Sequence, residues 1–187
     1  MKLLKMSDSK YFSDKTHLTN SMMGYLSESP QHLRDYLDGK ITKRSTAFDL
    51  GGLVHCMVLE PEEVEERFVI APKFDLRKTS HLKDYTSFLM DYLKPEKKDF
   101  CESISSVRDR FYFVLDNIDV TPLCESHWER ANYMCESIWA NNQARLMIEN
   151  ATNLEDVCTW EERGVKCKCK MDIYNEGNYL ADIKTTR

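Results

Sequence analysis

Leu154-Glu-Asp-Val-Cys-Thr-Trp-Glu-Glu-Arg-Gly-Val-Lys-Cys-Lys-Cys-Lys-Met-Asp-Ile-Tyr-Asn-Glu-Gly-Asn-Tyr-Leu-Ala-Asp-Ile-Lys-Thr-Thr-Arg187 is the closing stretch of the chain. Three runs of alternating or β-prone residues are separated by Glu162-Arg163-Gly164 and by Asn175-Glu176-Gly177-Asn178. This pattern predicts a three-stranded antiparallel meander with two tight turns. Asp172 and Asp182 then fall on adjacent strands, and Lys184 shares a strand face with Asp182. Two carboxylates and a lysine on one sheet face suit a magnesium-dependent phosphodiesterase. The geometry carries a condition. A two-residue Glu176-Gly177 turn would pair Asp172 with Ala181 and send the aspartates to opposite faces. Convergence therefore requires a three-residue loop or a bulge, with Gly177 the natural residue for a positive φ. Spacing alone leaves open the alternative that both aspartates simply flank a surface hairpin.

Next outward is the middle strand. Lys166, Lys168 and Lys170 alternate on the face of Asp172, where they suit either contacts to a phosphate backbone or a solvated strand face. Cys167 and Cys169 take the other face, and Cys158 lies on the preceding strand. Their i, i+2 spacing lacks the second pair of a structural zinc site, so buried small apolar residues are the better reading.

Upstream, Thr46–Leu59 carries an apolar stripe of Leu50, Val54, Met57 and Val58 at helical spacing, and Pro61 stops it. His55 lies one turn beyond Gly51 and Gly52, so its ring sits over two residues without side chains. It reads equally as a core-edge histidine and as a ligand for something outside the helix. Thr19 caps a short helix through Leu26. Ser29-Pro30 opens a second, which Gly39 ends. Lys40, Lys43 and Arg44 make a basic connector, and the first ten residues read as polar and loose. Arg67–Ala71 is a strand; Ser80–Leu93, Phe100–Asn117 and Cys124–Ala140 are helices, the last followed by a separate turn through Ile148. The order predicts an α+β fold in one domain over 1–187. It divides into a helical opening (1–45), a helical part with the histidine (46–151) and the meander (152–187).

The net charge of −5 over 187 residues argues against a passive nucleic-acid coat, though not against an enzyme with a local basic channel. Met1–Lys5 resembles the start of a signal peptide, but Ser7–Lys10 stands where its apolar core should be. No stretch is apolar enough to span a membrane, and seven scattered cysteines fit a reduced, cytoplasmic protein. There is no glycine-rich phosphate loop, nucleophile elbow or HxxxH zinc pattern.

Cys158–Asp172 followed by Ala181-Asp-Ile-Lys-Thr-Thr resembles the core of the RecE-type exodeoxyribonucleases, phage and prophage members of the PD-(D/E)xK superfamily related in active site to RecB and lambda exonuclease. Leu50–Pro72 resembles that family's glycine-to-histidine helix and following strand, and Thr19–Met23 with Ser29-Pro30 resembles its opening. The resemblance implies metal ligation by His55, Asp172, Asp182 and the Ile183 carbonyl, a catalytic Lys184, and Glu155 lining the site. It implies Mg2+, replaceable by Mn2+, and 5′-to-3′ digestion of double-stranded DNA ends. It also implies a ring-shaped homo-oligomer and hand-off to a RecT-like single-strand annealing protein. The family continues beyond the Asp-x-Lys strand with a Gln-x-x-x-Tyr helix and further strands, whereas this sequence stops at Arg187. A non-catalytic DNA- or partner-binding remnant is therefore the competing expectation.

Overall fold

The computed structural model describes residues 2–41 and 46–185. Element order is β1 (Lys2–Leu4), α1 (Asp8–Ser13), α2 (Asn20–Glu28), α3 (Pro30–Leu37), α4 (Thr46–Leu59), a 3-10 turn at Pro61–Glu63 and α5 (Val64–Arg67). There follow β2 (Phe68–Ala71), α6 (Thr79–Met90), α7 (Pro95–Ser103), α8 (Val107–Asn117), β3 (Thr121–Cys124), α9 (Glu125–Ala140) and α10 (Asn142–Glu149). The chain closes with β4 (Asn153–Glu162), β5 (Val165–Asn175) and β6 (Tyr179–Ala181). Among the described residues no helix is long and apolar enough to cross a membrane.

The expected meander forms, but as part of a four-stranded antiparallel sheet of order β1-β4-β5-β6. Arg163 and Gly164, both at positive φ, make the tight first turn. The second loop is Glu176-Gly177-Asn178, with Asn175 paired to Tyr179 and Gly177 at φ +79°. Its three residues are the odd number that convergence required. Ile173 pairs with Ala181, so the register places Asp182 opposite Asp172.

Four expectations need correction. The first ten residues are not loose: β1 adds to the edge of β4, pairing Leu3 with Cys158. Ser7 then caps α1 through the Lys10 amide. The predicted helix over Phe100–Asn117 is two, because the chain is extended at Ile104 and Ser106 caps α8 anew through the Asp109 amide. Strand β6 ends at Ala181, so Asp182 and Lys184, expected on one strand face, lie just beyond it. Thr121–Cys124 is a strand that sequence reading missed; it pairs in parallel with β2 as a separate two-stranded sheet. Pro122, which hid it, is tolerated because β3 has only one partner strand. Lys40 bridges Asp35 and Asp38, whereas Lys43 and Arg44 lie outside the described residues.

The main core sits where α4, α9 and α10 meet the sheet. Leu53, Val54, Cys56, Ala131, Ile148 and Ile173 are buried together there, with Ile183 against them. A second apolar cluster, including Leu82, Leu89, Phe111 and Val114, joins α6, α7 and α8. The first core fixes α4 against the hairpin, and that contact creates the site.

Candidate active site

Four elements bring their side chains to one cleft of about 870 Å³, lined by Asp8, His55, Glu155, Lys170, Asp172 and Lys184 among others. Helix α4 supplies His55. Its Nε2–H donates to the Ile183 carbonyl at 2.8 Å, which fixes the tautomer and leaves the Nδ1 lone pair facing inward. Nδ1 lies 3.6 Å from Glu155 Oε1 and 3.6 Å from Asp172 Oδ2. The Ile183 amide donates to Asp172 Oδ2 at 2.7 Å, so one residue of the last segment orients two of the three groups. Gly51 permits the approach: a Cβ there would stand 3.1 Å from Thr185 Oγ1.

Glu155 is unusual. Pairing runs Leu154 with Ile173 and Asp156 with Met171, and between them Glu155 adopts φ +55°. A side chain in the left-handed region costs about 1–3 kcal/mol and persists only where its surroundings impose it. Here the carboxylate is gripped on both sides, by His55 and by the Lys170 ammonium.

Electrostatics follow from burial and crowding. The Glu155 carboxylate beside His55 raises the imidazole above its ordinary pKa, against the opposing effect of burial. Burial pushes the Asp172 carboxyl up, only partly offset by the Ile183 amide and by His55. Burial also works to raise Glu155, but the neighbouring His55 imidazole and Lys170 ammonium outweigh it and hold that carboxyl below its usual range.

His55, Glu155 and Asp172 each offer one ligand atom, all within 4.8 Å of one another. Around an ion with bonds of about 2.1 Å, neighbouring ligand atoms stand about 3 Å apart and opposed ones about 4 Å; the separations of 3.6 Å lie between the two, so side-chain shifts of about half an ångström would close the three atoms on an ion. One nitrogen and two carboxylate oxygens form a hard donor set suited to Mg2+ or Mn2+ rather than to thiolate-seeking metals.

The remaining expected residues are placed differently. Asp182 and Lys184 grip each other, with Lys184 Nζ at 2.8 and 2.7 Å from the two Asp182 oxygens. Asp182 therefore does not reach the three converging atoms, although its register is opposite Asp172. Lys184 stands at the rim, its side chain 77% exposed. The Ile183 carbonyl reaches the site as the partner of His55. The three lysines separate sharply. Lys166 is exposed. Lys168 is 1% exposed, its ammonium bonded to the carbonyls of Tyr11 and Asp14 at 2.5 and 2.7 Å and paired with the Asp14 carboxylate. This corrects its expected place on an open DNA-binding face. Lys170 points into the cleft between Glu155 and Asp8. Cys158 is buried, as expected of a small apolar residue, while Cys167 and Cys169 are half-buried.

Sequence reading missed Asp8, Glu60 and Arg67. Arg67 joins Asp8 at 2.6 Å and Glu60 at 2.9 Å. Ser7-Asp8, a cap residue followed by a first-turn acid, was the available signal for α1; nothing local indicated that α1 reaches the cleft.

The arrangement defines a candidate divalent-metal centre of hard ligands on a mixed helix-and-strand fold. Residues 19–187 match the family described as a PDDEXK-like domain of unknown function (DUF3799), and the chain belongs to it. That membership puts it in the PD-(D/E)xK nuclease superfamily. A crystal structure from Eubacterium rectale, described as a "Putative exonuclease", shares the fold at a TM-score of 0.50 and 14% identity. The match covers 93% of this chain and 52% of that one, so the chain spans about half its length. Curated proteins give no match.

Proposed function

We propose that the chain is a magnesium-dependent deoxyribonuclease, a 5′-to-3′ exonuclease acting on double-stranded DNA ends in phage-type recombination. The observation that supports it most is the convergence of His55 Nδ1, Glu155 Oε1 and Asp172 Oδ2 within a PDDEXK-like domain. In this reading His55, Glu155 and Asp172 hold the ion, with Ile183 orienting His55 and Asp172. A divalent ion there supplies positive charge against a scissile phosphate and makes a bound water more acidic. Lys184, already at the rim, turns from Asp182 to a phosphate oxygen and stabilises charge developing in the transition state. Asp182, which follows β6 opposite Asp172, would then be free to add a further carboxylate ligand. Hand-off of the remaining strand to a RecT-like annealing protein and assembly into a homo-oligomeric ring belong to the same proposal.

One observation favours a second reading, binding without turnover: Asp182 and Lys184 are engaged with each other rather than with the three converging residues. The two readings separate on linear duplex DNA labelled at either 5′ or 3′ ends. With Mg2+ the exonuclease reading expects 5′ label to be released first, no release in EDTA, and loss of more than a hundredfold in rate on Asp182→Ala. DNA retained uncut by wild type under every divalent ion supports the non-catalytic reading. Undiminished digestion by Asp182→Ala sinks the assigned site.

A further inference from the structure

The family match begins at residue 19, yet α1, which precedes it, reaches the metal centre. Asp8 Oδ1 accepts from Lys170 Nζ at 2.6 Å, and Asp8 Oδ2 accepts from Arg67 Nη2 at 2.6 Å. The same Lys170 ammonium contacts Glu155 Oε2, while Glu155 Oε1 faces His55. One cation is thus shared between a carboxylate of α1 and a carboxylate of the centre. Lys170 and a divalent ion compete for Glu155, because both are positive and both take its oxygens. In a half-buried site that competition is weakly screened.

We propose that Asp8 is a positioning residue for the metal centre: it draws the charge of Lys170 away from Glu155 and so keeps that carboxylate available to the ion. The inference rests on reading His55, Glu155 and Asp172 as the ion's ligands. The placement of Asp8 is itself electrostatic, since α1 contributes no buried residue. The helix is held instead by Lys168 on the Tyr11 and Asp14 carbonyls, and by Lys170 and Arg67 on Asp8. An acid at position 8 serves two cations, and of these only Lys170 contacts Glu155.

The test is a Mn2+ titration of the full chain, read as the ion-induced rise in melting temperature. It compares wild type, Asp8→Asn, Lys170→Met and the double variant, with melting in EDTA confirming that each folds. Partner groups behind metal ligands typically change affinity by 10–100-fold, so Asp8→Asn is expected to raise the apparent Mn2+ Kd about tenfold. In the Lys170→Met background the same substitution is expected to change nothing, because the competing cation is gone. An unchanged Kd in Asp8→Asn, or an equal loss in both backgrounds, overturns the proposal while leaving the metal centre intact. Absence of any Mn2+ response in wild type overturns the metal centre and the proposal with it.

Discussion

Lys168 and Lys170 lie two residues apart on one strand face, and their fates show how little a residue's type settles. Lys168 is consumed in fastening α1, whereas Lys170 enters the cleft. Alternation could assign their common face, but only the covering helix decides what each ammonium meets. Asp14, at the end of that helix, is held well below the usual carboxylate range. The Thr16 hydroxyl and amide are the chief cause, with His17 and Lys168 adding to it against partial burial. A depressed folded-state value means stabilisation that is fully present above the unfolded value of about 3.9. It is lost as pH falls below that and through the folded value. Asp14→Asn is therefore expected to lower the melting temperature at neutral pH and to flatten its decline below about pH 4. Parallel melting-versus-pH curves for variant and wild type would contradict the network.

At the scale of elements, the β5–β6 hairpin was legible in detail. Facing demanded an odd loop, Gly177 offered a positive φ, and the structure has both. Helix α4 was legible as well, because an apolar stripe and a following proline act within a few residues. The strands β1 and β3 were not, since three or four residues become a strand only when a distant partner supplies hydrogen bonds. Likewise, the sequence could state only the condition under which Asp182 stands opposite Asp172, and nothing in it foretold that Lys184 captures the Asp182 carboxylate. Glu155 could be named as lining the site, yet its left-handed backbone has no local signature. The α4–hairpin contact makes a prediction of its own. Gly51→Val would press branched methyls onto Thr185, already 3.1 Å from a bare Cβ. Overpacking of this kind costs about 1–3 kcal/mol, and displacement of the 182–185 segment is expected to weaken Mn2+ binding as well. Gly24→Ala, where nothing lies within 4 Å, is the control and is expected to be neutral or mildly stabilising. Urea unfolding of the two variants decides; equal stability would show that α4 tolerates a larger gap.

For the molecule as a whole, an electronegative average hides a site in which charges are sorted by burial. Two carboxylates and an imidazole converge at one end of the sheet, and a lysine stands behind them. Another lysine and its aspartate wait at the rim. Helical cores hold α4 and the hairpin against each other, and the N-terminal strand and helix close over the same sheet from outside the family-matched region. The nuclease reading depends above all on an ion occupying the space between His55, Glu155 and Asp172. Calorimetric titration of Mn2+ into the full chain tests this directly. The expected result is saturable binding at one strong site in wild type, abolished or weakened more than tenfold in both His55→Ala and Asp172→Asn. Wild-type protein that takes up no ion, or a His55→Ala variant that binds it as tightly as wild type, would contradict the account.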